Sequence, residues 1–205
     1  MKAMRDLRTS ILRINTVKAA ATQGSLLVAE PFLTESYFNH SVIMLVDYND
    51  GEEALGLVMN NATGHTLDEY LDGVAPQTDV PVYCGGPIGE DRMVFMHTLG
   101  ETVFPGARLF APGLYLGGDF EAAIDYVNQG YPTEGFIRFF IGYSGWSAGQ
   151  LNDEINEGVW AVTDAPAERD ALLRLSEDAY WHLMVRRMGD AYRPWRFFPR
   201  DPKSN

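Results

Sequence analysis

The residues best suited by type and spacing to do chemistry lie between Tyr83 and His97. Tyr83-Cys84-Gly85-Gly86-Pro87-Ile88-Gly89 is a turn sequence between two apolar runs, with Arg92 and His97 after it. Paired glycines permit positive φ and close approach to the backbone, and free N–H groups in such turns bind anions. Arg92 adds a cation beside the turn, and His97 adds a group that titrates near neutrality. The plain alternative is a tight chain reversal with no ligand. No Lys-Ser/Thr pair follows the glycines, so this is not a Walker-type phosphate loop. Cys84 with His97 as base would make a thiol nucleophile. However, no third residue orients such a pair, and a lone cysteine usually behaves as a small buried hydrophobe.

A second candidate is Gly142-Tyr143-Ser144-Gly145-Trp146, read as a strand-to-helix turn. A nucleophile elbow requires Gly-x-Ser-x-Gly, and Trp146 occupies the place of the last glycine, blocking the close packing that glycine allows. Tyr143 and Trp146 are expected to pack beneath a helix start capped by Ser144 or Ser147. His40, His65, His97 and His182 do not pair with one another at i, i+4, and one cysteine cannot build a Cys-based zinc set. No metal site and no cofactor is expected. Glu154 and Glu157, at i, i+3 on a short helix, read as a solvated acidic face rather than an acid/base pair.

These groups need a scaffold, and composition limits what it can be. A chain of 205 residues, 46% hydrophobic and 12% aromatic, is expected to form one domain with appended arms. The longest apolar run, Val42–Val46, is far short of the ~20 residues that span a bilayer. The basic N-terminus lacks the apolar stretch of a secretory signal, and a single cysteine suits a reducing compartment, so a cytoplasmic protein is expected. The net charge of −12 is unevenly spread. Residues 1–23 and 186–205 each carry +4, which leaves −20 on residues 24–185, where only five arginines offset the acids. Such a body repels a phosphate backbone, so direct nucleic-acid binding is not expected and the ends read as basic arms.

Periodicity places the elements. Strands are predicted at 25–29, 42–46, 54–59, 80–83, 93–98, 108–110, 114–116, 136–141 and 159–162. The second is apolar on both faces and therefore central, and it forms a hairpin with the third across Asn49-Asp50-Gly51. Thr66-x-x-Glu69 is a capping box that opens a short helix. Asp119 and Gly130 bracket a helix over 120–129 with apolar residues at i, i+3, i+4, i+7. Further helices are predicted over 147–156 and 176–188. The tail 190–205 reads as extended, but its Tyr192, Trp195, Phe197 and Phe198 demand a partner surface, either the domain or another chain, so oligomerisation through it is possible. Hairpins followed by alternating helices predict a mixed α/β (α+β) fold. Its sheet is expected to be bent or partly closed, with helices outside.

Several separated motifs together resemble one family. They are Gly24-x-Leu26-Leu27-x-Ala29-x-Pro31, Phe38-x-x-Ser41-Val42, Gly56-Leu57-Val58-x-Asn60, and Gly85-Gly86-Pro87 with Arg92 and His97. Gly142-Tyr143-x-Gly145-Trp146-x-x-Gly149-Gln150-Leu151-x-x-Glu154-Ile155 and Trp160 follow in the same order. The chain resembles the AlgH/YqgE family of small bacterial cytosolic proteins over roughly 24–162, and residues 163–205 resemble the extension of Bacteroidetes members. The resemblance implies a mixed, branching sheet curled into a partial barrel. Some members are called transcriptional regulators, and the resemblance implies no particular reaction. His40 stands where the family usually has Arg, and Cys84 and Ser144 stand where other residues are common, which weakens both nucleophile readings.

The sequence therefore predicts a binding or regulatory protein, not an enzyme, with a groove formed by Asn60, Gly85, Gly86, Pro87, Arg92, His97, Tyr143, Trp146 and Gln150. Its ligand would be a small anion, a peptide or a protein. The alternative is an enzyme at the same groove, with His97 as acid/base and Arg92 holding an anionic substrate.

Overall fold

The computed structural model describes residues 20–33, 35, 37–174, 177–198 and 200. Most of the expected N-terminal arm, residues 1–19, lies outside them. Chain order begins β1 (Ser25–Ala29), β2 (Val42–Tyr48), β3 (Ala54–Val58), β4 (Ala62–Thr66), α1 (Leu67–Tyr70), β5 (Pro81–Cys84) and β6 (Ile88–His97). It continues with β7 (Arg108–Ala111), β8 (Leu114–Leu116), α2 (Phe120–Asn128), β9 (Ile137–Trp146), α3 (Gln150–Glu157) and β10 (Trp160–Asp164). Two helices, α4 (Arg169–Arg174) and α5 (Glu177–Arg187), precede a 3-10 helix at Asp190–Phe197.

The strands run β10-β1-β2-β3-β9-β6-β8-β7, and the sheet branches at β9. One edge of β9 pairs with β6. Its other edge pairs first with β5, in parallel, from Val82↔Phe139 to Cys84↔Ile141, and then with β3, antiparallel, from Gly56↔Ser144 to Ala54↔Trp146. The partner changes at Gly142, whose φ of 65° lets the chain kink. The far end curls back on the near one: Gln23 Nε2 donates to the Phe110 carbonyl at 2.8 Å, and Arg108 Nη2 to the Val46 carbonyl at 3.2 Å. This is the expected branched, curled half-barrel.

Both faces of the central strands are buried, which explains their unbroken apolar runs. Leu26, Val28, Val42 and Met44 face a core filled by Tyr180, Trp181, Met184 and Val185 of α5. Their neighbours Leu27, Ile43 and Leu45 face Trp146, Trp160 and Leu151 of α3 on the other side. Phe95 and Phe139 pack against Ala123 and Val127 of α2. Asp119 caps α2 as expected, its carboxylate accepting from the Ala122 N–H at 3.2 Å.

Three expectations change. Residues 88–92 form the first half of β6, so the Cys84–Arg92 loop shrinks to the turn Gly85–Pro87. Residues 142–146 extend β9, so Ser144 lies within a strand and not at a strand-to-helix turn. Of the expected extended tail, Asp190–Phe197 is a 3-10 helix, and residues 199 and 201–205 lie outside the described residues. Tyr192 and Trp195 sit in the core, while Phe197 is 75% exposed.

Candidate functional site

The Gly85–Pro87 turn packs backbone to backbone on the kink in β9. A β-carbon added at Gly85 would lie 2.4 Å from the Gly142 oxygen, and one at Gly86 would lie 2.4 Å from Ser144 Oγ and the Tyr143 carbonyl. Distances this short leave no room for a side chain, so the glycines serve packing. The Gly85 N–H donates to the Ile141 carbonyl at 2.8 Å, and the Gly85 carbonyl accepts from the Val58 N–H and from Ser144 Oγ. Both glycines are buried, and Pro87 is exposed.

The structure separates the other predicted residues. His97 is fully buried at the opposite end of β6, ringed by Phe95, Phe104 and Tyr115, with Nε2–H donating to the Gly117 carbonyl at 3.0 Å. Burial lowers its pKa, outweighing the Gly117 carbonyl, which favours the charged ring. Asn60 is buried and fully engaged. Its Oδ1 accepts from the Val42 N–H at 2.8 Å, and Nδ2 donates to the carbonyls of His40 and Glu177, each at 2.9 Å. Trp146 and Gln150 converge on Glu154. Its Oε2 accepts from the indoles of Trp146 at 2.8 Å and Trp160 at 2.7 Å, and Oε1 accepts from Gln150 Nε2. Glu154 was expected on a solvated face; it is the acceptor that joins α3 to two tryptophans.

Around the turn, the apolar Pro87, Leu55 and Ile88 stay outside together with the charged Glu90, Asp91 and Arg92. Leu55 and Ile88 are 38% and 41% exposed. A β-carbon at Gly145 would meet Ile88 Cδ1 at 3.0 Å, Tyr143 Cε2 at 3.6 Å and Leu55 Cδ2 at 3.8 Å, so these three side chains converge over one point. Beside them, the Gly89 position faces the Tyr143 ring and the Arg92 side chain. Arg92 and Tyr143 are thus the predicted site residues that share this surface with Pro87. Cys84 lies at its margin. Burial, with the Glu90 charge adding to it, pushes the thiol up despite the Gly86 carbonyl contact, which does not make a thiolate nucleophile.

Two features were missed in the sequence. Arg138 is almost wholly buried. It donates to the carbonyls of Met59 at 2.5 Å and Leu173 at 2.6 Å, and it lies 4.1 Å over the Tyr83 ring. It borders a cavity of about 280 Å³ between β5, the start of β9 and α4, which none of the predicted residues lines. The other feature is a cluster of His40, Asp178 and His182. Asp178 accepts from His40 Nδ1 at 2.6 Å and from His182 Nε2 at 3.1 Å. Its legible signal was Asp178 and His182 at i, i+4 on a predicted helix; nothing local pointed to His40.

The fold and these surfaces define a curled, branched α+β half-barrel with an apolar platform, edged by charged residues, at the branch point. A family model described as AlgH-like matches residues 26–193, and the chain belongs to the AlgH-like family. It is 36% identical to a UPF0301 protein of Parabacteroides distasonis over 196 residues, covering 96% of this chain and 98% of the relative. It is also 36% identical to a UPF0301 protein of Bacteroides fragilis over 200 residues, covering 98% and 100%. Two solved structures share the fold. The AlgH protein from Pseudomonas aeruginosa has a TM-score of 0.68 at 24% identity, covering 85% of this chain and 94% of that one. A Corynebacterium diphtheriae protein has a TM-score of 0.73 at 18% identity, covering 90% and 96%.

Proposed function

We propose that this chain is a non-enzymatic binding protein whose recognition surface is the platform of Leu55, Ile88 and Tyr143 with Arg92 at its edge. The observation that supports this is a division of labour. Ser144 beside the turn and His97 at the far end of β6 are buried and hydrogen-bonded through Oγ and Nε2, whereas apolar groups and the charged side chains of Glu90, Asp91 and Arg92 remain outside. An open, apolar platform with Arg92 at its edge, next to the exposed Glu90 and Asp91, suits a polypeptide that brings an apolar residue and a carboxylate to the arginine. A regulatory role of the kind the family resemblance implies would then act through protein contact. The acidic body argues against direct contact with DNA.

A photo-reactive side chain at position 88 is expected to form an adduct with a partner polypeptide in cells. Arg92→Glu or Leu55→Asp removes the adduct at unchanged melting temperature, and the same group at Tyr131, which is 52% exposed elsewhere, forms none. Equal adducts at both positions would refute the platform. The enzymatic alternative requires His97 to meet a substrate. Turnover in a hydrolase and transferase screen that His97→Gln abolishes with the fold intact would establish it.

A further inference from the structure

Away from the platform, the fold gathers polar groups of a different chemistry. His40 ends the turn that leads into β2, while Asp178 and His182 lie one helical turn apart on α5. One ligand atom of each lies within 4.8 Å of the other two. We propose that His40, Asp178 and His182 form a binding site for a divalent transition-metal ion of the zinc type.

The donor set selects the ion. Two imidazole nitrogens and one carboxylate suit Zn²⁺, Co²⁺ or Ni²⁺, whereas Mg²⁺ and Ca²⁺ want oxygen ligands. Three protein ligands leave a coordination position for water or a small ligand. Ligands about 2.0–2.1 Å from a tetrahedral ion stand about 3.3 Å from one another. The two separations run to different carboxylate oxygens, 3.1 Å from His182 Nε2 to Asp178 Oδ2 and 2.6 Å from His40 Nδ1 to Asp178 Oδ1, so the partly exposed carboxylate turns to present one oxygen to an ion held by both rings.

The backbone is held at the cost of strain where the ligands are carried. His40 has φ 54° and Glu177, next to Asp178, has φ 55°; these are the two non-glycine residues with positive φ among those described. Such conformations are disfavoured for residues that carry a β-carbon and persist where the surroundings over-determine them. Asn60 supplies that constraint, because one amide nitrogen grips the carbonyls of both strained residues, and the Glu177 N–H donates back to the Asn60 carbonyl at 3.1 Å. The His40 ring is stacked 3.8 Å from Trp181 at an interplanar angle of 10°, and the Trp181 indole is itself anchored to the Ala29 carbonyl at 2.9 Å. One ligand is therefore preorganised, as a metal site needs. The His40 nitrogen that faces Asp178 is Nδ1, while Nε2 is buried with no hydrogen-bond partner among the described residues. His182 and Asp178 are 28% and 37% exposed, which gives an ion a way in. Arg200, near enough to act on His40, opposes a cation and restrains the affinity.

The test is a Zn²⁺ titration of the tag-free full chain by calorimetry, with Co²⁺ absorption as a reporter of coordination. The expected result is one saturable site per chain and a rise in melting temperature with Zn²⁺ but not Mg²⁺. His182→Ala and Asp178→Asn, both at partly exposed positions that spare the core, weaken binding by at least the ~10-fold typical of losing even a supporting partner. Absence of saturable binding overturns the proposal. Wild-type affinity in both folded variants overturns it too, since the ions would then sit on the acidic surface.

Discussion

At the scale of single residues, buried polar groups in this protein hold elements together, and their loss is measurable. Glu154 accepts from two tryptophan indoles whose rings are buried. Glu154→Ala strands both N–H groups and is expected to cost about 2–4 kcal/mol in urea unfolding, while Glu154→Gln, which keeps an acceptor, costs less. His97 predicts a pH dependence. Its folded pKa lies below the ordinary value because of burial, so the unfolded chain binds a proton that the folded chain does not. Stability is then complete above about pH 6.5 and falls as the pH drops below that value toward the folded pKa. His40 is shifted by burial in the same direction. The loss of stability between about pH 7.5 and about pH 5.5 is therefore expected to shrink in His97→Phe without vanishing. An unchanged loss would show that His97 does not carry this linkage.

At the scale of elements, the branch in the sheet depends on one junction. β9 exchanges β5 for β3 where Gly142 kinks, and the Gly85–Gly86 turn lies directly on that kink. Gly86→Ala must push into Ser144 and Tyr143 from a position with φ 151°, and an expected cost of about 2–4 kcal/mol reflects a clash with backbone, which cannot move aside. The same junction explains a misread span. Ile88-Gly89-Glu90-Asp91-Arg92 lacks strand propensity, and it becomes strand because Ile88 pairs with Tyr143 and the ladder resumes at Met93↔Ile141. Pairing with a segment some fifty residues downstream in the chain overrides local preference. Asn60 shows a similar limit: its place after β3 was legible, but its two carbonyl partners come from segments far apart in sequence.

At the scale of the whole molecule, the C-terminal helices fill the curled sheet, and Arg138 ties them in. It joins β9 to the end of β3 and to the last turn of α4 while lying over Tyr83. Arg138→Lys loses the planar fork and the stacking together, and roughly 2 kcal/mol or more of stability is expected to go with them. Charge also acts at this scale. With −20 on residues 24–185, the protein is expected to give no DNA retardation at low ionic strength. Tight binding with a steep salt dependence would contradict that.

The sequence alone determined the strands whose apolar runs are buried on both faces, the capped helix α2 and a mixed, bent sheet with outer helices, because periodicity and capping are local consequences of residue type; the branched half-barrel was legible only through the motifs shared with a family. It also marked Arg92 and Tyr143, which the structure leaves at one surface. Tertiary structure decided the rest. It buried His97 in an aromatic cage, turned Asn60 and Glu154 into clamps, and brought His40 against Asp178 and His182 across 138 residues of chain. Those outcomes follow from which strand pairs with which and from how the sheet curls, and residue spacing carries no record of either.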